Sequence, residues 1–241
     1  MGESLKKKIR HSDVEKRIAG LNLQSGALAA SSLAIFIAAS LTVFAEAQIF
    51  LVSRLDQSAR LEALQGGVVR DGPSTYSKRL YLDDCLAALT SVRGRTLRPA
   101  NRAMLGASCR DGALKIVETN PTNGFAYYIA ALASAVLGDW NSFNARLADS
   151  REVSPGEEWL SELRVKLADE RKELLDSDGE TALDRDVATL AQSGRGIRVL
   201  AHKAVVDEVF RERVVSVLKN LTEEDKRAFL NAYRSALRGR R

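Results

Sequence analysis

Gly26 to Ala45 is a run of twenty residues without a charge, and the apolar character resumes at Ala47 and holds to Ser53. At about 1.5 Å per residue such a helix is about 30 Å long, the thickness of a bilayer's hydrocarbon core. A helix buried in a soluble domain is rarely so apolar on every side. The run therefore predicts a transmembrane helix over 26–53. Lys6, Lys7, Lys8, Arg10, Lys16 and Arg17 precede it, and only Arg54 and Arg60 follow closely. By the excess of positive charge, residues 1–25 form a cytoplasmic basic tail and the rest lies outside. A cleaved signal peptide is the competing reading, because "AEA" at Ala45–Ala47 has the small-x-small form of a cleavage site. The long polar lead-in, the length of the run and the "QIFLV" after the site weigh against cleavage. Either way the bulk of the chain is expected in one compartment, the periplasm of a Gram-negative bacterium. An uncleaved anchor puts it on the inner membrane.

Within the span, Gly26, Ala30, Ala34 and Ala38 are small and four apart, and Thr42 and Glu46 continue the series. Small residues at this spacing let another helix approach closely in lipid. An alanine-rich span also produces such a stripe by chance. A carboxylate in hydrocarbon is costly unless neutral or paired. Glu46 lies near the outer end, where it either reaches the interface or touches a partner span.

Beyond the span the chain reads as all-α. It has four prolines, sixteen glycines and few β-branched runs, and alanine, leucine and arginine dominate. The excess of arginine over lysine suits a high-GC bacterial gene. Residues 54–241 hold thirty Lys/Arg against twenty-seven acids, a weak footprint for nucleic acid, which is not expected as a partner. "RLDQSARLEALQ" at Arg54–Gln65 has leucines at helical spacing and is expected to extend the span helix outward by about three turns. "GGVVRDGPS" at Gly66–Ser74 is turn-forming, so 54–75 reads as a linker with a helix extension.

Cys85 and Cys109 are the only cysteines. An even pair in an oxidising compartment points to a disulfide. "YSKRLYLDDCLAALTSV" and "PANRAMLGASCRDGALKIVE" both read as helices. In an antiparallel pair turning near Leu97, positions 85 and 109 are each twelve residues from the turn and face each other. Two cysteines and two distant histidines, His11 and His202, make no metal-ligand set, and no cofactor is expected.

Pro121 and Pro155 are thirty-four residues apart. Between them Tyr127 is a large aromatic early in a first helix, and Ala130, Ala131 and Ser134 are small where two helices would cross. Gly138, Asp139 and Trp140 form a turn, and Leu147, Ser150 and Pro155 follow in a second helix. In these positions the sequence resembles the tetratricopeptide repeat, a thirty-four-residue helix–turn–helix unit. Phe143 departs from it, since a small residue is usual there. Cys109, Ala113, Ile116 and Pro121 fit a preceding second helix whose connection is longer than the repeat's, and "GEEWLSELRVKLADERKELLD" fits a closing helix. The resemblance covers residues 76–175 as a TPR-like antiparallel hairpin array, with extra amphipathic helices over 176–241. It implies a binding scaffold whose concave face comes from the first helix of each hairpin. By position that partner-binding groove would be Phe125, Tyr128, Leu132 and Val136, extended by Trp159; the same residues also fit a core.

No nucleophile elbow, phosphate loop, zinc-protease motif or dinucleotide fingerprint is present. Acidic pairs such as Asp83–Asp84 and Glu223–Glu224 read as helix-start or solvated charges. The expectation is a non-enzymatic adaptor with protein partners in the membrane and periplasm, serving envelope assembly or export, polysaccharide export among the candidates by analogy of layout. An enzyme acting on envelope glycan through dispersed carboxylates, and a self-assembling homo-oligomeric membrane protein, are the alternatives.

Overall fold

A computed structural model describes the backbone of residues 2–67 and 72–239 and the side chains of residues 28–67 and 72–239. The described residues form helices without strands. Helix α1 (Gly2–Ser53) is followed by α2 (Gln57–Gln65), α3 (Thr75–Thr90), a short α4 (Val92–Arg95) and α5 (Pro99–Thr119). Then come α6 (Gly124–Leu137), α7 (Trp140–Val153), α8 (Glu158–Asp169), a 3-10 turn (Lys172–Leu174), α9 (Ser177–Ala191), α10 (Gly194–Val206), α11 (Glu208–Leu218) and α12 (Glu223–Arg238).

Most helix starts carry a short polar side chain that satisfies backbone N–H groups left free by the first turn. Ser74 accepts from Ser77 N, Asn123 from Ala126 N and Asp139 from Ser142 N; Asp207 accepts from Phe210 N. Thr222 and Asp225 exchange bonds in a capping box at α12. Gly138 ends α6 with φ 76°, a left-handed position that glycine adopts without steric cost, and the chain turns straight into α7.

Helices α5, α6 and α7 pack in succession, and other contacts skip an element, as α1 on α3, α7 on α9 and α10 on α12. The Cys85–Cys109 disulfide joins α3 to α5, with Cα atoms 5.7 Å apart, as the helix-pair reading expected. Alanine-rich α6 is buried almost all round, between α5 and α7, with α3 and α8 also against it. Phe143, the departure from the repeat pattern, is fully buried. Helix α9 rests on α7 and α8, and α10, α11 and α12 continue the stack, so the C-terminal helices share the core of the rest.

The linker reading is corrected. The span helix does not run on through Gln65; it stops at Ser53, and Asp56 starts a separate α2 by accepting from Ser58 N and Ala59 N. Helix α2 folds back on α5 and buries Leu61 and Leu64 in the common core, so 57–65 belongs to the folded body.

Candidate functional site

The apolar run of α1 divides in two. Among the described residues one helix is long and apolar enough to cross a membrane, Leu28–Ser53. Its side chains are exposed from Leu28 through Phe44, and from Ala45 to Ser53 all but Leu51 are partly or wholly covered by the domain. Ala30, Ala34, Ala38 and Thr42 all lie on the exposed part, with the Thr42 hydroxyl donating to Ala38 O (2.9 Å). Gly26 lies outside the residues whose side chains are described.

Glu46 turns inward. Its carboxylate accepts from the Ser74 hydroxyl and from Ser74 N (3.2 Å), at the N-terminus of α3, where the helix dipole favours an anion. Gly72 suits the close approach beside it, since a Cβ there would lie 2.5 Å from a Glu46 oxygen and 2.9 Å from Ser77 Cβ. A turn further on, Ile49 is fully buried and Phe50 stacks on Tyr76 with ring centroids 5.6 Å apart. Ser53 donates to the buried Asp84 (2.5 Å), which Arg60 of α2 also bonds (3.0 Å). Arg60 reaches back to the carbonyls of Ser53 and Leu55 and so ties off the end of α1. The sequence left Glu46 between lipid interface and partner span; within this chain its contact is Ser74.

From this junction an aromatic band continues across three helices. Tyr76 and Arg79 are neighbours one turn apart on α3. The Arg79 guanidinium lies 4.4 Å from the Phe125 ring centre on α6 and 4.5 Å from that of Trp159 on α8. The two rings meet edge to face at 5.2 Å, and Asp83 holds the guanidinium from its own helix (3.0 Å). Each cation–π contact at such a half-exposed position contributes about 0.5–1 kcal/mol.

This arrangement corrects the expected groove. Phe125, Tyr128 and Leu132 are core residues, since α3 and α8 both lie against α6 and Arg79 of α3 covers the Phe125 ring. Burial pushes the Tyr128 phenol well above its ordinary range, and the charge of Glu170 adds to the rise. Trp159 is half-buried beside Phe125, whereas Val136 lies at the other end of α6. There it borders a separate cleft of about 610 Å³, with Trp140, Arg102 and Asp169. Sequence reasoning missed Arg79. A lone arginine followed by Asp83 four residues on reads as a solvated helix pair, and only the fold reveals the rings beneath it.

It also missed Arg164. This arginine is 1 % exposed, and its guanidinium grips both oxygens of the equally buried Asp186 (2.7 Å each). It donates as well to Ser150 O, Ser154 O and Ser161 Oγ, knitting α7, α8 and α9 together. Every nitrogen of the buried cation is satisfied within the protein, which marks a structural pin. Among the described residues no group of three or more His, Cys, Asp or Glu side chains could hold a metal ion. No family model matches the chain, and neither a curated protein nor a solved structure is similar to it.

Proposed function

We propose that the chain is a single-span adaptor of the bacterial inner membrane, with its N-terminus in the cytoplasm and a TPR-like helical domain in the periplasm. The observation that carries this reading is the division of α1. Seventeen exposed residues without a charge, Leu28 to Phe44, make about 25 Å of helix, close to a hydrocarbon thickness. The next nine, Ala45 to Ser53, run along the domain, with Ile49 buried in its core, Phe50 and Val52 packed against it and Leu51 facing outward. The domain therefore sits at the bilayer surface and is held to the span by packed side chains. The same contacts favour an uncleaved anchor, since cleavage after Ala47 would sever Glu46 from Ser74 and cut the helix just before Ile49.

The TPR-like assignment rests on the α6–α7 hairpin, its Gly138 turn and the start of α8 shortly after Pro155. The surface such a scaffold offers is the band from Phe50 and Tyr76 to Arg79 and Trp159. Tyr76 is 67 % exposed there, and an amphipathic ring with an apolar body and a polar tip suits protein recognition. No catalytic role is assigned to any residue. The partners are proteins, one in the membrane against the exposed span and one in the periplasm against the aromatic band.

The test is photo-crosslinking in living cells, with benzoylphenylalanine at Tyr76, at Ile35 in the span and at Glu212 on α11 as a surface control. A discrete protein adduct from Tyr76 or Ile35, absent from Glu212, is the expected result. Only adducts of the chain with itself, or none at either position, would overturn the adaptor reading.

A further inference from the structure

We infer that the outer face of α12 is a docking surface for anionic phospholipid headgroups. The sequence from Lys226 to Arg241 carries six Lys/Arg and no acid, while the other 225 residues carry thirty cations against thirty-one acids. The formal positive excess of the chain is thus concentrated in this one segment. The acids of α12 precede this segment, in the helix's first turn, where Glu223 is paired with Lys226 (2.8 Å) and Asp225 is taken up by the capping box. Glu224 alone remains there as a free surface acid.

The packing fixes which side of the helix is available. Phe229 and Ala236 are buried, Phe229 stacks on Tyr233, and α12 lies against α10. The opposite side presents Arg227, Leu230, Arg234, Leu237 and Arg238, all exposed, with Leu230 at 48 % and Leu237 at 43 %. Among the described residues none of these three arginines makes an ion pair, although arginines elsewhere on the surface do, for example Arg211 with Glu208 and Arg213 with Asp184. Cations interleaved with exposed leucines on one face of a helix that is itself held in place are the pattern of an interfacial helix: the leucines enter the headgroup boundary and the guanidiniums meet phosphate. A freely solvated polyanion would satisfy the arginines and leave Leu230 and Leu237 unused, which favours the lipid surface. The inference rests on the membrane-anchored reading above only for the nearness of a bilayer. Each Lys or Arg at an anionic surface is worth about 1 kcal/mol, so neutralising three lowers the ratio of docked to undocked α12 about a hundredfold.

The test uses the full chain carrying Asn231→Cys labelled with the environment-sensitive dye NBD, reconstituted into vesicles of phosphatidylcholine alone or with about 30 % phosphatidylglycerol. The expected result is brighter, blue-shifted emission, quenched by spin-labelled lipid, in anionic vesicles only. It should be reversed by about 0.5 M NaCl, where screening shortens to a few Å. Arg227→Gln, Arg234→Gln and Arg238→Gln together should abolish it with an unchanged circular dichroism spectrum. Equal emission in neutral and anionic vesicles, or an equal response from wild type and the triple variant, would overturn the inference. So would a response to soluble alginate with none to anionic lipid. Flotation with neutral vesicles reports the α1 anchor separately: a chain that floats only with anionic vesicles refutes the anchor and keeps the α12 surface.

Discussion

Two charged side chains illustrate how this fold treats polarity. Arg164 and Asp186 are buried together, and each is costly without the other. Arg164→Ala should cost about 3–5 kcal/mol in urea unfolding, because Asp186 would remain buried with only Arg151 near it at 3.5 Å. Arg164→Met with Asp186→Leu should recover most of that loss. A double variant no more stable than Arg164→Ala would show that the guanidinium's bonds to Ser150 and Ser154 matter more than the charge pair. Asp139 shows the exposed counterpart. Hydrogen bonds from the Ser142 side chain and backbone amide hold its carboxyl below the usual range. A carboxylate depressed in the folded state stabilises the fold above its unfolded value and loses that contribution as pH falls through the folded one. Asp139→Ala should therefore cost about 1 kcal/mol at neutral pH, a cap's usual worth. The difference from wild type should shrink as pH drops below about 4. The turn at Gly138, Asp139 and Trp140 was legible from the repeat resemblance, although nothing in it singled out Asp139 as the cap of α7. Arg164 was not, because one arginine in "SELRVKL" looks like any solvated helix residue until α7 and α9 enclose it.

At the scale of elements, the sequence spoke clearly where one helix decides its own fate and poorly where a helix depends on what it lands on. The apolar run, the Cys85–Cys109 pair and the α6–α7 hairpin are local: length, parity and a glycine turn specify them. Helix α2 misled because Leu55, Leu61 and Leu64 have the spacing of a continuing helix, while the break depends on Asp56 capping a new one. Phe125, Tyr128 and Leu132 misled for the complementary reason. A position on a first helix is open only if no neighbour crosses it, and α3 does. The joint between α1 and α3 makes a measurable prediction. Glu46→Leu with Ser74→Ala removes the carboxylate and both its role as acceptor and the cap of α3. Amide exchange should then speed up at about the first turn of α3 and leave α9 and α10 unchanged, since local openings follow the cooperative units they sit in. Faster exchange throughout would mean that the joint is part of the global fold and not a local latch.

For the whole molecule, the organisation is a long apolar helix whose C-terminal end packs into a helical stack, with the aromatic band near the joint and the basic outer face at the far end of the chain. Averaging charge over 54–241 hid that second feature, because thirty cations against twenty-seven acids look balanced until the last helix is counted alone. The central claim is that α1 holds the domain outside the cytoplasm, and thiol labelling tests it most directly. Cys85 and Cys109 are paired and buried, so single cysteines placed at Ser12 and at the exposed Asp178 report alone. Membrane anchoring with the domain outside predicts that a membrane-impermeant maleimide labels Asp178→Cys in intact spheroplasts, and labels Ser12→Cys on the same full-length, carbonate-resistant band only after permeabilisation. Labelling of Ser12→Cys but not Asp178→Cys in intact spheroplasts, or a chain that alkaline carbonate extracts, would contradict it.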